Sequence, residues 1–342
     1  MMIFRPIESS DYDALWHIAQ HTGVGFSSLQ PKPDMVRHKL DWALESFSGS
    51  TTLDDLLYLF VLEDAKTGNI AGVSGIESAI GQTDPWYNFK VNTQVHTSRE
   101  LNVYNRLTTM TLCSDHTDYS ELCTLFLLPE YRYSNNGRLL SKARMMFMAN
   151  HPSHFHENVI AEMRGYCDDN GESPFWEAIG RHFFNVDFVT ADQQIAKGKT
   201  FIAELMPRHP IYTNMLPDSA QAVIGETHND TLPARKLLES EGFHYTHYID
   251  IFDAGPLLEA RVKDIRTVRD SREYKVQIHE STTTDETQWL LASTGFRQFR
   301  CILGQVSFEG FEFVNITREQ ANALQLQPND TLRVVPLTGR RP

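Results

Sequence analysis

The run Cys123-Thr-Leu-Phe-Leu-Leu-Pro-Glu-Tyr-Arg-Tyr-Ser-Asn-Asn-Gly-Arg-Leu-Leu140 decides the fold of this chain. Thr124 to Leu128 is a short apolar run of strand length, and Pro129 stops it. Arg138 to Ala149 is rich in Leu, Met, Ala, Lys and Arg, all good helix formers. Between them lies the polar loop Arg132-Tyr-Ser-Asn-Asn-Gly137. Such a loop turns several backbone N–H groups toward one point, and the positive end of the helix dipole adds to them. The spacing predicts a phosphate cradle, or else an ordinary strand-to-helix connection. Asn135 and Gly137 are residue types that accept the left-handed or tight backbone such a cradle needs.

Outward from this run, Met2 to Ile7 reads as a first strand. Ser9-Ser-Asp11 and Pro33-Asp34 open two helices. Leu57 to Glu63 and Ile70 to Ile76 form a hairpin across the turn Lys66-Thr-Gly-Asn69. Beyond the cradle helix, Val159 to Met163 and Thr200 to Leu205 read as strands, and Ser173-Pro-Phe-Trp-Glu177 starts a helix. Pro207 to Pro217 is a connection. Thr231 to Glu241 is an amphipathic helix closed by Gly242. From about Val262 short alternating segments take over: Tyr274 to His279, Leu290 to Ala292, Arg300 to Val306, Phe311 to Ile316 and Thr331 to Val335, with a helical turn at Arg318 to Leu324. Ser281 to Glu286 reads as an exposed loop. The expected architecture is α/β (α+β). A mixed sheet flanked by helices occupies 1–260, and a small mainly-β unit, a barrel or sandwich, occupies 261–342.

The 342 residues are 41% hydrophobic and 22% charged, as expected of a globular protein. The net charge of −13 argues against a nucleic-acid partner, which needs a basic footprint. No apolar run approaches the roughly 20 residues that span a bilayer, so no membrane partner is expected. Cys113, Cys123, Cys167 and Cys301 make no Cys-x-x-Cys pair, so no metal site is expected. Their wide spacing and the strand that begins at Met2 point to reduced thiols in the cytoplasm.

Arg132 and Gly137 match the first and last positions of the Arg/Gln-x-x-Gly-x-Gly/Ala signature with which the GNAT superfamily of N-acyltransferases holds the pyrophosphate of acyl-CoA. Asn135 stands at the middle glycine. The resemblance continues in Asp84-Pro-Trp-Tyr-Asn88, Glu100-Leu-Asn-Val-Tyr104, Ser120-Glu-Leu-Cys-Thr-Leu125, Ala161-Glu-Met-Arg-Gly165, Ser173-Pro-Phe-Trp176, His209-Pro-Ile-Tyr212 and Tyr248-Ile-Asp-Ile-Phe-Asp253. These blocks, between about residues 1 and 260, resemble the arginine N-succinyltransferase family. The resemblance implies transfer of the succinyl group of succinyl-CoA to the α-amine of L-arginine, opening a bacterial route of arginine breakdown to glutamate and ammonia. It implies no permanently bound cofactor, with succinyl-CoA as co-substrate, and it leaves room for assembly into an oligomer. Two other readings stay open: an acyltransferase of the same fold acting on another amine such as ornithine, and a non-catalytic CoA-binding regulator.

Acyl transfer to an amine needs an oxyanion donor, a proton donor for the leaving sulfur and a clamp on both substrates. By family position, the backbone N–H of Leu125 is the acyl-CoA contact, and Arg132, Asn135 and Gly137 hold the pyrophosphate. His228, in Gly225-Glu-Thr-His-Asn-Asp230 just before the late helix, is the proton donor. An imidazole suits that role because its ordinary pKa lies near neutrality. Among 14 histidines, His182, His209 and His247 are weaker candidates. The guanidinium of arginine requires a carboxylate, for which Asp84, Glu162, Glu77 and Asp115 are available. Asp84 adds the neighbouring Trp86 and Tyr87 for cation–π contact, although Asp-Pro there is also an ordinary turn start. The succinyl carboxylate requires a cation: Arg106, Arg132 or Arg164.

Overall fold

The computed structural model describes residues 1–23, 26–49, 55–168, 171–195, 198, 200–280 and 286–339. Its strands are β1 (Met2–Pro6), β2 (Leu57–Asp64), β3 (Ile70–Glu77), β4 (Asn88–Ser98), β5 (Val103–Cys113), β6 (Ser120–Leu127), β7 (Asn158–Glu162) and β8 (Ile211–Tyr212). They continue as β9 (His244–Ile249), β10 (Pro256–Arg261), β11 (Arg272–His279), β12 (Trp289–Ser293), β13 (Cys301–Gly304), β14 (Ser307–Glu309), β15 (Phe313–Thr317) and β16 (Thr331–Pro336). Helices α1 (Tyr12–Ala19), α2 (Pro33–Ser48) and α3 (Asn136–Asn150) precede a cluster of short ones: α4 (Pro174–Ala178), α5 (Gly180–Phe184), α6 (Phe188–Ile195), α7 (Thr200–Leu205) and α8 (Asp218–Gln221). Then follow α9 (Leu232–Glu241), α10 (Arg266–Asp270) and α11 (Arg318–Leu324).

Among the described residues the strands join in one run, β14-β15-β11-β16-β12-β13-β1-β2-β3-β6-β7-β10-β9-β4-β5-β8. Pairing is antiparallel except at β6/β7 and β11/β15. The C-terminal strands therefore continue the main sheet, with Phe4 of β1 opposite Cys301 of β13. One face of these strands, through Leu290, Ala292 and Val335, packs into the same core as α3. The other face, through Leu291, Leu332 and Val334, packs with Ala321 and Leu324 of α11. This cover explains α3. From Leu139 to Met148 it is buried on every side, Lys142 and Arg144 included, so it needs no polar stripe.

Three stretches differ from the sequence expectation. Thr200–Leu205 is helix α7, not a strand; its six residues are too few for periodicity to separate the two, and Ile202 packs in a cluster of short helices. The 11-residue strands β4 and β5 pair along their whole length, from Asn88↔Cys113 to Ser98↔Val103, where no strands are expected. Their outer halves are exposed on both faces, so the apolar alternation that marks a strand is missing. The connection Pro207 to Pro217 contributes β8, which pairs with β5. The expected Ser281 to Glu286 loop lies, up to residue 285, outside the described residues.

Candidate active site

Strand β6 carries a local defect that organises the site. Val73 pairs with Phe126 and Gly75 with Cys123, so Thr124 and Leu125 together face Ser74. This is a β-bulge, and it breaks the regular ladder at those two residues. Thr124 takes φ 51°, a strained value for a β-branched residue. Its buried Oγ1 has no hydrogen-bond partner. On its other side β6 meets β7 only at Ser120↔Val159 and Glu121↔Ile160. Beyond Glu121 the parallel pair parts, and the bulge borders that opening.

Arg144 of α3 reaches this place from within the core. It is 2% exposed, and its guanidinium donates to the carbonyls of Gly75 (3.2 Å) and Cys123 (3.3 Å) on the two strands flanking the bulge, and also to Ser141. Burial lowers its pKa to about 10 and raises that of the Cys123 thiol to about 12. The sequence carries a faint signal for it: an arginine in the apolar run Ala143-Arg-Met-Met146.

After β6 the chain makes a tight turn at Pro129–Tyr131 and enters the loop. Ser134 (φ 48°) and Asn135 (φ 65°) are both left-handed, the conformation for which Asn is suited. Gly137, expected to share it, sits instead in the first turn of α3 with no positive φ. A Cβ there would meet only Leu127 Cδ2, at 3.8 Å, so the fold itself does not demand glycine. Asn135 gives no side-chain cap to α3, and no acid lies in its first turn. Of the amides at the start of this 15-residue helix, that of Asn136 donates to Tyr133 O at 3.0 Å, which leaves those of Gly137 and Arg138 to carry the partial positive charge of the helix end. Arg132 is exposed beside them, its Nε donating to Leu127 O at 3.1 Å. Asn135 Nδ2 donates to Gln288 of the C-terminal unit at 2.8 Å, so that unit braces the loop.

His228 lies at the end of the parallel partner strand. Its backbone N–H donates to Arg164 O at 2.8 Å, two residues beyond β7, and its carbonyl receives the N–H of Leu232 at the start of α9. The ring Nδ1 accepts the Asp230 N–H at 3.2 Å, which places the ring proton on Nε2. Burial and then the Arg164 charge lower its pKa, while Asp230 raises it. His182, His209 and His247 are exposed, whereas His228 is half-buried. Glu241 at the end of α9 binds Lys142 in the middle of α3 and Arg266 of α10, each at 2.8 Å. The bulge, the cradle and the imidazole therefore gather at the carboxyl ends of the parallel pair β6/β7, the usual ligand crevice of such sheets.

The carboxylate candidates separate. Glu162, the last residue of β7, is half-buried and accepts from Asn88 Nδ2 at 3.0 Å. Asn88 Oδ1 in turn takes bonds from Trp86 Nε1 and His116 Nδ1, each at 3.1 Å, so Glu162 ends a buried polar chain. Asp84 is exposed in the loop before Trp86. Asp115 is held by Lys90 and Tyr248, and their bonds lower its pKa. Glu77 stands opposite Glu121 across β3/β6. Of the cations, Arg106 is exposed on β5, far along the hairpin from Asn88.

The family described as "Arginine N-succinyltransferase beta subunit" matches residues 2–267, and its C-terminal domain matches residues 272–336. The chain belongs to this family. Arginine N-succinyltransferases of Yersinia enterocolitica and Salmonella paratyphi B are 46% and 47% identical to it, each over 98% of both chains. The solved structure of arginine/ornithine succinyltransferase subunit AI from Pseudomonas aeruginosa superposes with a TM-score of 0.90 at 32% identity, covering 99% of each chain. The family's mixed sheet with flanking helices is the fold described above. Among the described residues no helix is long and apolar enough to cross a membrane.

Proposed function

We propose that the protein transfers the succinyl group of succinyl-CoA to the α-amine of L-arginine, giving N2-succinyl-L-arginine and CoA. The observation that carries the reading is the meeting of a bulged strand, an uncapped helix start and a half-buried imidazole at one end of β6/β7. The amides at the start of α3, with Arg132 beside them, hold the pyrophosphate of CoA, with the left-handed Asn135 shaping the loop and Gly137 leaving room. The thioester lies along the opening between β6 and β7, and the Leu125 N–H at the bulge receives the carbonyl oxygen as it gains charge. The amine attacks the carbonyl carbon, the C–N bond forms, the C–S bond breaks and the amine loses a proton. His228 gives its Nε2 proton to the departing sulfur, and the proton lost by the amine restores the ring. Glu162, held by Asn88, faces the guanidinium, with Asp84 at the rim. The co-substrate comes and goes with each turnover.

The test is release of free CoA thiol from succinyl-CoA in the presence of L-arginine, with mass detection of the succinylated product. Release with ornithine but not arginine would move the acceptor while leaving the chemistry. This second reading is favoured by the name of the Pseudomonas relative, which includes both amino acids. CoA binding without release for any amine would refute the enzymatic reading.

A further inference from the structure

Two of the substrate ends are anions: the distal carboxylate of the succinyl group and the α-carboxylate of arginine. Neither is met by the groups described so far. One cation near His228 is unused. Arg164 Nε is shut away from solvent and has no hydrogen-bond acceptor. A buried guanidinium N–H without an acceptor is costly, so its presence calls for an explanation. The chain carries 44 acids against 31 lysines and arginines, so carboxylates to neutralise it are plentiful. Among the described residues none forms an ion pair with it.

The place of Arg164 is fixed on both sides. Met163 before it is sunk in the main core, 4% exposed, with its N–H on Pro256 O. Gly165 after it gives its N–H to the buried Asp253 carboxylate at 2.7 Å. A Cβ on Gly165 would lie 2.3 Å from Asp253 O, so the segment packs directly against the Asp253 backbone and only glycine fits there. The Arg164 carbonyl holds the His228 N–H. A group bound by this guanidinium is thus registered against the imidazole.

We propose that Arg164 is the subsite for a substrate carboxylate, and this rests on the acyl-transfer reading above. The planar guanidinium suits a carboxylate in paired hydrogen bonds. Binding also bears on the proton donor. The charged groups acting on the His228 ring are Arg164, which lowers its proton affinity, and Asp230, which raises it. A carboxylate on Arg164 cancels the first, so the ring gains proton affinity when the substrate has arrived.

Two preference ratios in kcat/KM test this: succinyl-CoA over propionyl-CoA with arginine as acceptor, and arginine over agmatine with succinyl-CoA as donor. Arg164→Met should reduce one of them by about 10- to 100-fold, the worth of a charge-assisted hydrogen bond. The ratio that falls names the carboxylate. Arg164→Lys, which keeps the charge without the planar fork, should reduce the same ratio less, and it carries the test if the Met variant does not fold. The Met variant should also move the alkaline limb of the pH profile, where the donor loses its proton, to higher pH. Both ratios unchanged, or a uniform loss on every substrate pair, would overturn the proposal. Wild-type protein that releases no CoA with any amine would instead refute the activity beneath it.

Discussion

Gly137→Ala separates the cradle's function from its folding. Gly137 is the second residue of α3, it has an ordinary helical backbone, and an added Cβ meets nothing closer than Leu127 Cδ2 at 3.8 Å. Alanine should therefore fit, and it should stabilise the helix by up to about 1 kcal/mol through reduced unfolded-state entropy. With an unfolding entropy of about 2 cal/mol/K per residue, that raises Tm by about 1–2 °C in a chain of 342 residues. On the acyl-transfer reading, the same methyl crowds the space in which the CoA phosphates meet the amides of Gly137 and Arg138. Displacing one charge-assisted bond costs about 1.5–3 kcal/mol, so CoA affinity should fall by about 10- to 100-fold. Calorimetric titration with CoA and a thermal melt read the two effects separately. A stable variant that binds CoA as tightly as wild type would refute the cradle. A variant with a clearly lowered Tm would refute the claim that the fold does not need glycine there.

His228→Ala should lower kcat by about 10²–10⁴, the range of a lost acid–base group, with CoA affinity little changed. An unchanged kcat across the pH range rejects the role. His116, 2% exposed, has its pKa pushed down to about 4, chiefly by burial. The unfolded chain takes up its proton first, near pH 6.5, so this stability is full above that pH and is lost as pH falls toward 4. Between pH 6.5 and 5 the contribution should drop by about 2 kcal/mol. Denaturant titrations should show that slope, and His116→Gln should flatten it; an equal slope in both proteins excludes the cause. Glu241, 1% exposed, neutralises Lys142 and Arg266 and accepts the Thr267 N–H at 2.7 Å. Glu241→Gln leaves two buried cations under-paired, and the loss should be about 3–5 kcal/mol in urea unfolding. A loss below about 1 kcal/mol means that the cations find other partners.

The parts of the site that follow from local chain chemistry were legible in the residues alone. The strand ending at Pro129, the polar loop and the helix from Arg138 are each encoded by neighbours in sequence. Asn135 announced its left-handed backbone by being asparagine, and Gly242 ends α9 at φ 104° as a C-terminal glycine should. Family resemblance singled out His228, and burial separates it from three exposed histidines that composition could not rank. Tertiary contact decided the remainder. The bulge at Thr124–Leu125 exists only as a mismatch of register between β3 and β6, and Arg144 supports it from another element. The Glu162–Asn88–His116 chain joins residues 74 and 28 positions apart in sequence. Local preference acts within a few residues, so it writes turns, caps and amphipathic helices into the sequence. Register, the parting of β6 from β7, and the absence of a partner for Arg164 depend on which distant segments meet, and only the packed chain sets these.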